Sequence, residues 1–140
     1  MGLLDDLLGG KKENEENIGN VPFKVWLSFS PVRLAAMKDN KVNMIVKITN
    51  TSGENQLVSI DIILPKKDLI GFEPTCMKKH EEKKIGELKA DETKEVVVQI
   101  HGTNQTKEGN YQINIAVYSH YMDYSKVLKS IKKSATIRVV

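Results

Sequence analysis

Residues 41–65 read KVNMIVKITNTSGENQLVSIDIILP, and residues 85–117 read IGELKADETKEVVVQIHGTNQTKEGNYQINIAV. In both stretches apolar and polar residues alternate with period two, and clusters of Gly, Asn, Ser and Asp separate the alternating runs. Alternation places successive side chains on opposite faces of a strand, and the clusters favour turns. The two stretches therefore predict an antiparallel β-sandwich.

The alternation continues on both sides of these stretches and predicts an all-β domain of seven strands, A to G. We place them at residues 23–29, 42–49, 58–64, 85–88, 96–100, 111–117 and 135–139. Pro22 and Pro31 flank strand A, which favours an edge position because proline cannot donate a ladder hydrogen bond. Residues 66–84 are rich in charge and lack a clean period, so we interpret them as a loop that crosses between sheets.

The first 20 residues differ in composition from the rest. Four leucines form one face of a two-turn helix, and two aspartates lie opposite; the leucines are Leu3, Leu4, Leu7 and Leu8. Two turns are too short to be stable alone, so this helix is expected to fold only against a partner. Residues 11–20, KKENEENIGN, indicate a flexible tether. We therefore divide the chain into a short amphipathic segment with its tether, 1–20, and a sandwich domain, 21–140.

Composition limits the possible functions. The chain has 140 residues, 40% of them hydrophobic, and a net charge of +3 that is too small to imply nucleic acid by itself. Cys76 is the single cysteine, so no intrachain disulfide can form, which suits a reducing compartment. No secretory signal or membrane span is evident in the sequence. We expect a cytoplasmic protein, and a peripheral contact of residues 1–8 with a membrane is the less favoured alternative to docking on a protein.

Three short motifs in order resemble a known family. They are VKITNT at 46–51, GELKADET at 86–93 and GNY at 109–111, with Asp91 where the family usually has glycine. They resemble cell-adhesion-related Ig-like domains of CARDB type, and also the small Ig-like domain associated with the carbohydrate-binding module of α-galactosidases. The resemblance covers about residues 42–139 and implies an Ig-like sandwich with a non-catalytic role.

No metal, cofactor or catalytic site is expected. Cys76, His80 and His101 fall in loops that can share one end of the sandwich, with His120 at the other, but a zinc site needs three or four converging ligands. Ser28 and Ser30 have no sequence context of an activated nucleophile. We therefore predict a protein that is not an enzyme.

The loop between strands F and G is the best candidate for a binding site. Three of the four tyrosines lie within seven residues, at Tyr118, Tyr121 and Tyr124, with His120 between them. Tyrosine is favoured in protein-binding loops because it is large, rigid and amphipathic. In an Ig-type sandwich the loop at 50–55, from Asn50 to Asn55, lies at the same end. Alternatively, the rings lie flat over strands A or G and only cover the sandwich. The backbone of residues 118–134 forms either a short helical turn or an extended hairpin.

The sequence therefore predicts a protein-binding or scaffold module whose partner it does not name. The leucine helix would dock in a groove of a partner protein or touch a membrane; Asp5 and Asp6 disfavour anionic lipid and so favour protein. One alternative is carbohydrate binding, with Trp26 and the tyrosines as stacking platforms. Another, less favoured, is weak nucleic-acid binding through the basic residues from Lys126 to Arg138.

Overall fold

A computed structural model describes residues 22–140, which form nine β-strands in two sheets. The strands are β1 (Phe23–Ser30), β2 (Arg33–Leu34), β3 (Asn40–Asn50), β4 (Gln56–Ile63), β5 (Ile70–Gly71), β6 (His80–Leu88), β7 (Thr93–Gly102), β8 (Gly109–His120) and β9 (Val127–Val139). Within residues 22–140 there is no helix long and apolar enough to cross a membrane. The predicted leucine helix and tether lie outside the described residues.

The two sheets form the predicted sandwich. One has the order β1–β3–β7–β5 and the other β2–β9–β8–β4–β6. Every pairing is antiparallel except the short parallel contact of β2 with β9. The strand count exceeds the predicted seven because β2 and β5 are two-residue strands that add to sheet edges. The all-β, Ig-like class is confirmed.

The core lies between the sheets and follows the period-two pattern. Val46, Ile60, Val98 and Ile115 lie near the middle of long strands, where the alternation places them on the inward face, and all four are buried. Their neighbours on the inward faces, mostly Ile, Val and Leu, are buried with them. The alternation therefore identified the inward face of each long strand correctly, because only one face of each sheet is removed from water.

The predicted crossing loop at 66–84 is wrong in its last part, because β6 begins at His80 and pairs with β4 along its length. Strand D is thus the C-terminal half of a longer strand. The sequence HEEKK at 80–84 has no hydrophobic alternation because β6 is an edge strand, whose side chains reach water on both faces. Pairing of its backbone with β4 makes it a strand.

Residues 118–134 form an extended hairpin, so the helical-turn alternative is wrong. β8 and β9 pair from Gly109 with Val139 up to His120 with Val127. Strand G therefore begins at Val127 and not at Ala135. The first half of β9 is mostly exposed, which explains why its sequence lacks the pattern of a half-buried strand.

Strand β1 is an edge strand, as its flanking prolines predicted, and it contacts β9 of the other sheet. The Lys133 Nζ atom donates a hydrogen bond of 2.9 Å to the carbonyl oxygen of Val25. Burial beside β1 lowers the pKa of Lys133. An inward-pointing lysine of this kind occupies a strand edge that could otherwise pair with another chain.

Candidate binding site at the β8–β9 hairpin

The hairpin that joins β8 to β9 has an ordered turn at residues 121–126. The Tyr121 amide donates to the carbonyl of Lys126 at 2.9 Å, which closes the turn. Inside it, the Asp123 carboxylate accepts hydrogen bonds from the hydroxyl and the amide of Ser125, the latter at 2.9 Å. Both hydrogen bonds lower the pKa of Asp123, and the bond from the Ser125 hydroxyl has the larger effect. The turn therefore presents its outer side chains on a defined backbone.

Four apolar side chains project from this hairpin into solvent. Tyr121, Val127 and Leu128 are each more than half exposed, and Met122 is 78% exposed. We call these four residues the tip surface. All four lie in the turn or the first two residues of β9, at one end of the molecule, and exposed apolar area is a common property of interaction sites.

His120 lies beneath the tip surface and is buried. Its Nε2 atom is 2.7 Å from the hydroxyl of Ser59, which is buried on the neighbouring strand β4. The His120 ring packs edge-on against Tyr124, with ring centroids 5.1 Å apart. The Nδ1 atom has no hydrogen-bond partner among residues 22–140. His120 therefore supports the base of the hairpin from within.

Tyr124 links the hairpin to the edge strand β6. Its hydroxyl accepts a hydrogen bond of 3.0 Å from the Gly86 amide, and the Lys84 ammonium lies 5.2 Å from the centre of its ring. Gly86 has a φ of +90°, a conformation that a residue with a Cβ rarely adopts. The bulge between β4 and β6 thus aims a free amide at Tyr124. Tyr124 anchors the turn while its neighbour Tyr121 faces water.

Tyr118 is part of β8 and lies on the outer face of the five-stranded sheet. It is partly buried, and its pKa is raised by burial first and then by the negative charge of Asp61. Asp61 also lies 3.2 Å from the Nε2 atom of His80. Tyr118 therefore belongs to a polar group on the sheet face below the hairpin, and not to the loop itself.

The 50–55 turn does lie at the same end as the hairpin, since Leu57 at the start of β4 pairs with His120. Asn50 is buried, and its amide group donates to the carbonyls of Glu54 at 2.6 Å and Leu88 at 2.9 Å. Asn55 is exposed and lies 3.3 Å from the Glu87 carboxylate. Asn50 stabilises the turn from inside, whereas Asn55 is accessible.

The residues considered for a metal site separate into two places. The Cys76 thiol donates to the carbonyl of His101 at 3.2 Å, which places these residues together as the loop positions suggested. Burial raises the pKa of the Cys76 thiol and lowers that of His101. His80 instead lies beside Asp61, and both belong to the five-stranded sheet. Across residues 22–140, no three His, Cys, Asp or Glu side chains are grouped so that they could hold a metal ion.

The Ser59–His120 pair is the arrangement that most resembles a nucleophile with its base. Both residues are buried, and within the described residues no carboxylate bonds the His120 Nδ1 atom to orient the ring. Tyr124 covers the imidazole. The pair therefore fits a structural contact better than an active site. No sequence signal marks Ser59, because only strand pairing brings it beside His120.

The chain is similar in fold to solved structures of other proteins. No protein-family model matches it, and no curated protein matches it. A structure of Escherichia coli alpha-2-macroglobulin, from domain MG7 to the C-terminus, has a TM-score of 0.60 at 14% identity, over 85% of this chain and 16% of that one. An alkylpurine DNA glycosylase of Pseudomonas fluorescens has a TM-score of 0.50 at 14% identity, over 84% of this chain and 30% of that one.

A CARDB domain from Pyrococcus furiosus is also similar, with a TM-score of 0.48 at 15% identity, over 91% of this chain and all of that one. The two-sheet topology and the similarity to the macroglobulin structures confirm the predicted Ig-like fold. The chain spans only a small part of the macroglobulin and glycosylase structures. At these identities the similarity shows the fold alone.

Proposed function

We propose that this chain is a protein-binding module and that the tip surface is its principal contact with a partner. One observation carries the proposal: four large apolar side chains project from a hairpin whose base is anchored by buried contacts. A pre-ordered surface loses little conformational entropy on binding, so its exposed apolar area contributes efficiently to affinity. Tyr121 and Met122 are the most suitable anchors because aromatic residues and methionine are enriched in interfaces.

The charges of β9 and of the turn before it favour a partner with acidic groups beside apolar ones. From Ser125 to Val140 there are five basic residues and no acidic residue. They do not form one continuous face, because Lys132 and Lys133 are adjacent in β9 and point to opposite sides of the sheet. This division fits nucleic acid poorly, since phosphate binding needs a continuous basic track.

The test is a pull-down from cell lysate in which captured proteins are quantified for each variant. Tyr121→Ala combined with Met122→Ala should weaken capture by about 2 kcal/mol or more, as expected for interface hot spots. Thermal unfolding should change little, since both side chains are exposed. Trp26→Ala is the matched control, because it removes an exposed aromatic ring from the opposite sheet. If the double variant folds normally and captures every partner of the wild type, the tip surface is not the binding site.

Carbohydrate binding is the second candidate, and one observation favours it. Trp26 is half-exposed on the outer face of the four-stranded sheet, in the edge strand β1. A flat aromatic platform of this kind can stack against a sugar ring. Binding of the full chain to immobilised glycans that is abolished by Trp26→Ala and unaffected by the tip substitutions would support this function in place of the first.

A further inference from the structure

The N-terminal segment of this chain matches the tip surface in both polarity and charge. Residues 1–20 contain four leucines and carry a net side-chain charge of −3, from five carboxylates and two lysines. The hairpin presents four exposed apolar side chains, its turn holds Lys126 and the single acid Asp123, and β9 supplies four further basic residues. An acidic, leucine-rich segment is therefore the chemistry that this surface would recognise.

The path of the chain places that segment within reach. β1 begins at Phe23, at the same end as the hairpin, and its third residue, Val25, contacts Lys133 of β9. From Lys133 to Val127 the distance along β9 is about 20 Å, at roughly 3.3 Å per residue. The 13 residues from Gly9 to Val21 can span up to about 45 Å when extended. The leucines can therefore reach every part of the hairpin.

The edge of β9 next to β1 offers a second reason. β2 pairs only with the last residues of β9, so the backbone edge from Val127 to Thr136 has no strand beside it among the described residues. Pairing of this edge with the same edge of a second copy would bring the lysines of two β9 strands together, which is unfavourable. An acidic segment of the same chain would instead meet opposite charge.

We propose that residues 1–20 bind in cis to the tip surface and the adjoining edge of β9, with Leu3, Leu4, Leu7 and Leu8 on the apolar side chains. A short tether gives a millimolar effective concentration, so even a weak contact would be populated. The segment then competes with any external partner for the same surface. This inference rests on the proposed function and names the partner class as an acidic, leucine-containing segment.

The first test compares amide chemical shifts of the full-length wild type with those of full-length Leu4→Ser combined with Leu7→Ser. We expect changes concentrated at residues 119–133 and unchanged by tenfold dilution. The control is Asn14→Ser with Asn17→Ser, which alters polar residues of the same segment and should leave the hairpin signals in place. Unchanged hairpin signals, or changes at Trp26 and its neighbours instead, would overturn the proposal. Changes that disappear on dilution would replace cis binding by association of two copies.

The second test uses a fluorescent synthetic peptide of residues 1–20 as the probe. It is titrated into the full chain carrying Leu4→Ser and Leu7→Ser, whose own segment no longer competes. We expect saturable binding that weakens at least tenfold when Tyr121→Ala and Met122→Ala are added, and that weakens as salt is raised.

The two tests separate this inference from the proposed function. If the tip substitutions abolish partner capture but the peptide does not bind and the hairpin signals do not move, cis binding is refuted while the proposed function stands. If the peptide binds at the tip surface and partner capture is unaffected by the tip substitutions, the proposed function fails and the hairpin is only the docking site of the chain's own segment.

Discussion

Neighbouring valines in β7 provide a direct test of the sandwich. Val98 faces the core and is 6% exposed, and Val97 faces outward and is 51% exposed. Val98 is opposite Met44 in β3, and Val97 is opposite Ile45. Replacing each by alanine removes the same two methyl groups from the same strand. Both positions lie in the same inner strand, so the difference between the variants reports mainly the packing and burial of the two side chains.

The expected magnitudes follow from that exposure. At about 0.8 kcal/mol per buried carbon, Val98→Ala loses about 1.6 kcal/mol of transfer free energy. The cavity left behind raises the total to about 2–3 kcal/mol, because the surrounding core relaxes only in part. Val97→Ala leaves no cavity and should cost about 0.5 kcal/mol from lost surface contacts. The free energies of unfolding of the two variants should therefore differ by about 1.5–2.5 kcal/mol.

Urea denaturation of both variants and the wild type measures this difference, provided that the m-values agree. The reasoning is refuted if the two variants lie within about 0.5 kcal/mol of each other, near the scatter expected for surface substitutions. Such a result would mean that β7 is not paired with β3 in the register described. A one-residue slip exchanges the two faces and would make Val97→Ala the costlier change.

Three further predictions concern positions outside the core. Gly71→Ala should destabilise by at least about 1–3 kcal/mol, because its Cβ would lie 2.3 Å from the Cys76 Cα atom; unfolding like that of the wild type would contradict this. Tyr124→Phe leaves the Gly86 amide without its acceptor, so it should cost about 0.5–1.5 kcal/mol and speed hydrogen exchange at that amide, and unchanged exchange would argue against the bond. Glu73 has its pKa lowered from 4.5 to about 2, chiefly by a side-chain hydrogen bond, so its contribution is present above pH 4.5 and is lost as pH falls toward 2. In urea unfolding, Glu73→Gln should therefore lose less stability than the wild type across that range, and parallel curves would refute the assignment.

The sequence alone determined which residues of the long strands face the core. Period-two alternation identified the inward face of the long strands, because burial of one face of a sheet requires an apolar residue at every second position. Turn chemistry was equally local: Asp91, where the family pattern has glycine, adopts a φ of +63° in the turn between β6 and β7. Asp tolerates this left-handed conformation better than most residues, so the deviation from the motif was predictable.

The composition of the hairpin was also visible in the sequence, since three tyrosines fall within seven residues. Which of them face water was not. Tyr121 is exposed, Tyr124 is held by Gly86, and His120 is buried against Ser59. These contacts join residues distant in the chain, and strand pairing alone brings them together. The exposed Val127 and Leu128 were missed because a short apolar run with lysines fits a helix and a strand equally well.

Only the tertiary structure decided where the edge strands lie and what they pair with. β6 and the first half of β9 carry charged residues on both faces, so they have no hydrophobic period to reveal them. Their backbones become strands because β4 and β8 present unpaired donors and acceptors that must be satisfied. That pairing extends β8 and β9 beyond the core, so that the hairpin with its four apolar side chains projects into solvent. Core positions of the long strands could thus be predicted because burial requires apolar side chains at regular spacing. The proposed site depends on backbone pairing, which requires no particular side chains and so could not be predicted from the sequence.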